Sequence, residues 1–232
     1  MKTLTYTPSV RIAQKTLAYI LVFCIVNMPV WALNWNGVGT NASFNGIDTV
    51  NVTNLRSYIE WNNFDTDPGQ LLQFLAGGPL SADYAVLNKV VGADPTLFQG
   101  ILQAGQGHII LMNPNGITIG STASINAGKF TASTMDMMNV EDFLADSGIS
   151  AENYQFEFAK TSGTPAAIIN NADIIYNGVT GEGVAEQINF LGDTVLNTGT
   201  ITTGAKGVVA MAAGESILLG EPGSNVIVQM NS

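Results

Sequence analysis

From Thr194 to Met230 the chain is a string of short apolar runs: "TVLNTG", "TITTG", "KGVVAMAAG", "ESILLG" and "SNVIVQM". Each supplies three to five residues of strand-forming sequence, and each break carries Gly or Asn, which tolerate tight turns. The same texture runs through "HIILMNPNG", "ITIGSTASINAG", "KFTAST" and "AAIINNADIIYNG". Helical periodicity is scarce. The best helical candidate is "PGQLLQFLAG" (68–77), which is short, and "LSADYAVLNKVVG" (80–92) reads equally as helix or strand.

Short strands suit a sandwich, a closed barrel or a solenoid. A sandwich wants longer strands, alternating polarity and tight hairpins. Here apolar residues stand side by side, as in Ile109-Ile110-Leu111 and Ile217-Leu218-Leu219. Asn/Gly corners return about every 8 to 12 residues. The pattern therefore predicts a coil of short parallel strands around one narrow core. A lone coil cannot offset the entropy of ordering its backbone, so coils must stack, and an open end must be covered. The less regular stretch 33–100, with Trp35, Trp61 and Phe64, is the expected N-terminal cap.

The beginning of the chain reads differently. Lys2, Arg11 and Lys15 form a basic region free of acids, "TLAYILVFCIVNMPV" (16–30) is apolar, and Val30-Trp31-Ala32 offers a cleavage site. Residues 1–32 are expected to be a signal peptide, with Leu33 as first mature residue. A lipobox at "LVFC" (21–24) is the weaker reading because Phe23 is bulky. Removing the segment leaves five basic residues against 18 acidic ones, a net −13. Such a charge disfavours nucleic acid and anionic membrane surfaces as partners. The sole cysteine, Cys24, leaves with the signal, so packing and backbone hydrogen bonds must hold the remainder.

Candidates for chemistry are few. His108, the only histidine, has no second His or Cys with which to hold a metal. It reads as a polar residue at a strand start. Asp65 and Asp67 in "FDTDPGQ" make a thin calcium set and read as a solvated turn. "VEDFLAD" (140–146) reads as a solvated acidic loop, and "GESILLGEPG" lacks the Lys and helix of a phosphate loop. No cofactor, metal or catalytic residue is expected. The most structured signal is Asn113-Pro114-Asn115-Gly116-Ile117. Pro114 presets φ, Asn113 can cap the turn through its side-chain oxygen, Asn115 and Gly116 tolerate left-handed angles, and Ile117 restarts the apolar run. This predicts a sharp corner between two buried strands.

"GHIILMNPNGITIGSTASINAGKFTASTMDM" resembles the secretion domain of two-partner-secretion exoproteins, the family of filamentous haemagglutinins and high-molecular-weight adhesins. "YIEWNNFD", "LLQFLAGG", "AVLNKVVGADPTLFQGIL", "VEDFLAD" and "AAIINNADI" follow in the family's order and spacing, so the resemblance covers about residues 33–225. It implies a right-handed parallel β-helix with an N-terminal cap and small extra-helical antiparallel sheets. It implies export to the periplasm, recognition by an outer-membrane partner transporter with periplasmic transport-associated domains, and a product that is secreted or held at the cell surface; a monomer is expected. Asn113 to Ile117 match the family's Asn-Pro-Asn-Gly-Ile motif in full. They are carried over as a fold-critical or partner-recognition turn. A second family motif, Asn-Pro-Asn-Leu, has at best a remnant in "NVTNL" (51–55), which favours the adhesin-like subclass. The resemblance and the chain finish together near Ser232, which fits either a fragment of a longer exoprotein or a short stand-alone member. Two other functions stay open: a β-helical polysaccharide lyase, and a module binding glycans or a host-cell receptor, as in carbohydrate-dependent haemagglutination.

Overall fold

In the computed structural model, the described residues are 33–78, 84–145, 155–161, 163–175, 187–203, 207–220 and 228–231. The proposed signal segment, with Cys24, lies outside them.

The chain opens with β1 (Asn34–Thr40), β2 (Ala42–Phe44) and β3 (Thr49–Val52), where β2 and β3 form an antiparallel hairpin. Then β4 (Arg56–Asn63), β5 (Leu71–Ala76), β6 (Ala85–Val90), β7 (Thr96–Phe98), β8 (Ile101–Met112), β9 (Ile117–Ile119) and β10 (Ser124–Ser133) wind upward. An excursion follows: β11 (Asp136–Met137), the helix α1 (Val140–Ala145) and β12 (Gln155–Ala159). Winding resumes with β13 (Ala167–Asn170), β14 (Ile174–Ile175), β15 (Gln187–Gly192), β16 (Thr194–Asn197), β17 (Ile201–Thr202) and β18 (Val208–Ala213). Last come β19 (Ser216–Gly220) and β20 (Val228–Asn231).

These strands build the stacked parallel coil that the sequence predicts. One wall stacks β4, β6, β8, β10, β15 and β18 in parallel. A second stacks β7, β9, β13 and β16, also in parallel. A third begins with β3, β5 and the first halves of β8 and β10, and β14 and β17 form a further parallel pair. His108 sits opposite Lys129, and Gln187 opposite Val208, so a plain coil takes 21 residues. Several strands exceed the three to five residues expected: β8 has 12 and β10 has 10. Each crosses a corner and serves two walls, bending where the register shifts near Gly105 and Ala127.

The cap is smaller than expected. Its antiparallel pairings are β2 with β3 and β1 with β4, and β4 is already paired in parallel with β6 on its other edge. Trp61 and Phe64, assigned to the cap by sequence, are fully buried in the first coil. There they join Phe44 and Phe98 in a chain of ring contacts with centroids 5.0, 5.1 and 6.1 Å apart. Trp35 is only half-buried, on the antiparallel β1. The best helical candidate, 68–77, holds no helix: its residues 71–76 are β5. Its Leu72 and Phe74 face inward while Leu75 is exposed, the alternation of a strand. Of 80–92, residues 85–90 are the strand β6.

The side-by-side apolar residues have a specific cause: from β6 to β15 the first wall is buried on both faces. Val86, Ile109, Phe130 and Ile188 stack in register toward the coil interior. On the same strands Leu87, Ile110, Met112 and Leu191 point outward, into a second core. Covering that face is the antiparallel sheet β11-β12-β19-β20, which contributes Met137, Phe156, Phe158, Ile217 and Leu219. "ESILLG" and the "VQM" that closes "SNVIVQM" therefore belong to this extra-helical sheet, not to the coil. "VEDFLAD" is not a solvated loop: its first six residues are α1, whose fully buried Phe143 lies 5.9 Å from Phe156, ring centre to ring centre.

Candidate functional site

The turn after β8 is held from three coils. Asn113 is fully buried. Its Oδ1 accepts the Asn115 N–H at 2.9 Å, and the Gly116 N–H donates to the Asn113 carbonyl at 3.1 Å, closing the bend. Its Nδ2 donates to the Asp94 carbonyl at 3.0 Å and to Thr96 Oγ1 at 2.9 Å, both in the coil below. Its backbone N–H donates to the Ser133 carbonyl in the coil above, at 3.0 Å. One carboxamide thus shapes its own turn and fastens it to its neighbour, so its buried polar atoms are matched.

The other four residues divide the work. Pro114 is half-buried. Asn115 is exposed and keeps an ordinary negative φ, against the left-handed angle allowed by its sequence. Its Nδ2 instead donates to the Gly92 carbonyl at 2.9 Å. Gly116 takes the positive φ, +121°, and Ile117 is buried between its register partners Thr96 and Ile168.

Sequence inspection missed related devices. Asn170 sits opposite Asn197 and donates to its Oδ1 at 2.7 Å, while its own Oδ1 accepts the Ala172 N–H. Asn88 lies inside the coil, receiving Trp61 Nε1–H at 3.1 Å and donating to the Ile110 carbonyl. Each was marked only by an Asn among apolar residues, with its partner a coil away.

The remaining candidates are structural in geometry. Asp65 is buried, not in a solvated turn: its carboxylate accepts the Leu97 N–H from the next coil and an Asn63 Nδ2–H. Asp67 is exposed beside it. His108 lies within β8 rather than at a strand start, buried under the outer sheet with its ring edge-on to Phe156 at 5.8 Å. Its Nε2 and Thr131 Oγ1 are 2.9 Å apart, and Asn189 Nδ2 donates to the same hydroxyl at 3.0 Å. Among the described residues no three His, Cys, Asp or Glu side chains converge as a metal site. A cavity of about 310 Å³ lies between β5 and β8, lined by Phe74, Leu75, Gln103 and Asn126, with Tyr84 its one titratable residue. Burial pushes that phenol up, and its hydroxyl is engaged with the Ala104 carbonyl at 2.6 Å.

The matching family model is the TPS (two-partner secretion) secretion domain, aligned over residues 32–230. The chain belongs to this family. TPS secretion domains serve export and are recognised by a partner outer-membrane transporter. TPS exoproteins cross the outer membrane and are secreted or surface-associated. The fold is similar to the HMW1 secretion domain of Haemophilus influenzae, with TM-score 0.62 and 29% identity over 82% of this chain and 47% of that one. It is also similar to the filamentous hemagglutinin secretion domain, at TM-score 0.54 and 13% identity over 87% and 68% of the two chains. A heme/hemopexin-binding protein of Haemophilus influenzae is 29% identical over 101 residues, 44% of this chain. The matched region is 10% of that protein's length.

Proposed function

We propose that residues 33–232 are the secretion-targeting domain of an exoprotein or adhesin, brought to the periplasm by a signal peptide at residues 1–32. An outer-membrane partner transporter recognises the domain there, and the domain folds as a β-helix outside the cell. The observation that carries this reading is the family match from residue 32 to residue 230, spanning cap, coil and outer sheet. The chemistry agrees with it. No cysteine follows Cys24, so no covalent link fixes the chain before its coils stack. Recognition of the unfolded chain uses an extended segment added to a sheet edge, where main-chain hydrogen bonds give affinity without a charged hot spot. Winding outside makes export one-way, because a finished coil is too wide to slide back through a narrow pore. The Asn113–Ile117 turn is fold-critical in this reading, and the product is a monomer, secreted or at the cell surface.

Export of the full chain with and without its partner transporter tests the proposal. Export that requires the partner is expected; export that persists without it refutes the proposal.

A further inference from the structure

The two cores differ in how they close. The coil core is built from near neighbours, each strand pairing with one laid down a single coil earlier. The outer core is not. Its central strand β12 pairs with β19, Gln155 opposite Gly220 and Ala159 opposite Ser216, and β19 arrives only after β13 through β18 are in place. Until then β12 has an open edge, and Leu87, Ile110, Met112 and Leu191 lack the cover of Ile217 and Leu219.

The seam under this cover is also imperfectly matched. Gln187 and Asn189 occupy outward positions on β15, alternating with the inward Ile188 and Phe190. Both are buried, yet among the described residues Gln187 Oε1 and Nε2 and Asn189 Oδ1 have no hydrogen-bond partner. Buried polar atoms without partners favour states that admit water. At the rim, polar contacts hold the cover to the coil: Lys89 to Asp136 at 3.0 Å and Lys160 to Asp193 at 2.7 Å.

We infer that the outer sheet is a latch: β11, α1, β12, β19 and β20 open and close as one unit over a coil that stays wound, and the late strand β19 is the piece that closes it. The coil keeps its own interior columns and its parallel ladders when the latch is open. Among the described residues the latch packs its apolar side chains on the face of the first wall. Separate cooperative units of this kind are seen as groups of amides sharing one opening free energy. The inference concerns the folded chain and holds whatever route that chain takes out of the cell.

Native-state hydrogen exchange on the full chain tests it. Amides of β11, β12 and β19 are expected to exchange as one group, about a hundredfold or more faster than those of β8, β10 and β15. In the double variant Ile217→Asp with Leu219→Asp, β12 should lose protection while β8, β10 and β15 keep theirs. Uniform exchange across both groups in the unaltered chain overturns the inference. So does a variant in which β12 stays protected, or one in which the coil loses protection along with it.

Discussion

The Asn113 carboxamide reaches back one coil to the Thr96 hydroxyl, donating from Nδ2 to Oγ1 over 2.9 Å. The same side chain bends its own turn through Oδ1. Asn113→Ala therefore leaves the Thr96 hydroxyl, the Asp94 carbonyl and the Asn115 N–H without it. A loss of about 2–4 kcal/mol is expected, from one to two buried groups left unmatched. Urea unfolding of the variant measures it, and a midpoint within experimental error of the parent would contradict the assignment.

Asn115 separates folding from recognition at the same turn. It is exposed, and its side chain bonds mainly to the Gly92 carbonyl. Asn115→Ala should cost no more than about 1 kcal/mol. A variant with parental stability that is no longer exported would place partner contact at this residue, against a purely structural turn.

Close stacking of corners predicts intolerance of a single methyl. A Cβ on Gly199 would stand 2.0 Å from the Ala172 carbonyl oxygen of the coil below. A backbone atom cannot rotate away, so Gly199→Ala should destabilise by about 1–3 kcal/mol or more. Gly77 is the control, since nothing lies within 4 Å of a Cβ there. Thermal unfolding of both should show a loss for the first and little change or a small gain for the second.

Where β1 pairs with β4, the outward face carries a charge device. The Tyr58 hydroxyl donates to Glu60 Oε1 at 2.6 Å, and Asn36 Nδ2 donates to Oε2 at 2.7 Å. These bonds hold the Glu60 carboxyl below its ordinary value, and burial, helped by the Glu60 carboxylate, pushes the Tyr58 phenol up. Because the folded Glu60 value is the lower one, its contribution is present above the ordinary carboxylate range and is lost as pH falls through the folded value. Tyr58 acts at the other end: its contribution is present below its ordinary value of 10.0 and declines as pH rises above it. Glu60→Gln should flatten the acid limb of a stability–pH profile, and Tyr58→Phe the alkaline limb. Unchanged limbs would contradict the coupling.

Phe143 tests the short helix. It is fully buried against Phe156 although α1 has only six residues. A helix so short draws its stability from packing, not propensity. Phe143→Ala should cost about 3–5 kcal/mol in stability of the outer core, read by loss of protection in β11 and β12.

These residues also show how far sequence alone reaches. The coil was legible because its runs are short and its corners are written in Asn and Gly; the bend at Asn113 and Gly116 follows from local chemistry. The cover over the first wall was not legible as to which residues form it. Ile109 to Met112 are apolar without interruption, and nothing local says which face meets which core. "LLQFLA" carries apolar residues at spacings that fit a helix as well as a strand, and pairing with β3 and β8 decides the matter. Phe143 sits in an acidic stretch that reads as exposed until Phe156 is placed beside it. Asp65 looks solvated because its donor, the Leu97 N–H, is a coil away.

The 21-residue coil has a mechanical consequence. Stretched out, that length of backbone spans about 70 Å, yet once wound it adds roughly 5 Å to the stack. Each completed coil therefore reels in more than ten times the distance it adds. A chain anchored by its first coils draws slack toward itself with every further corner it sets, so the hydrogen bonds of stacking become a source of pull along the unwound remainder.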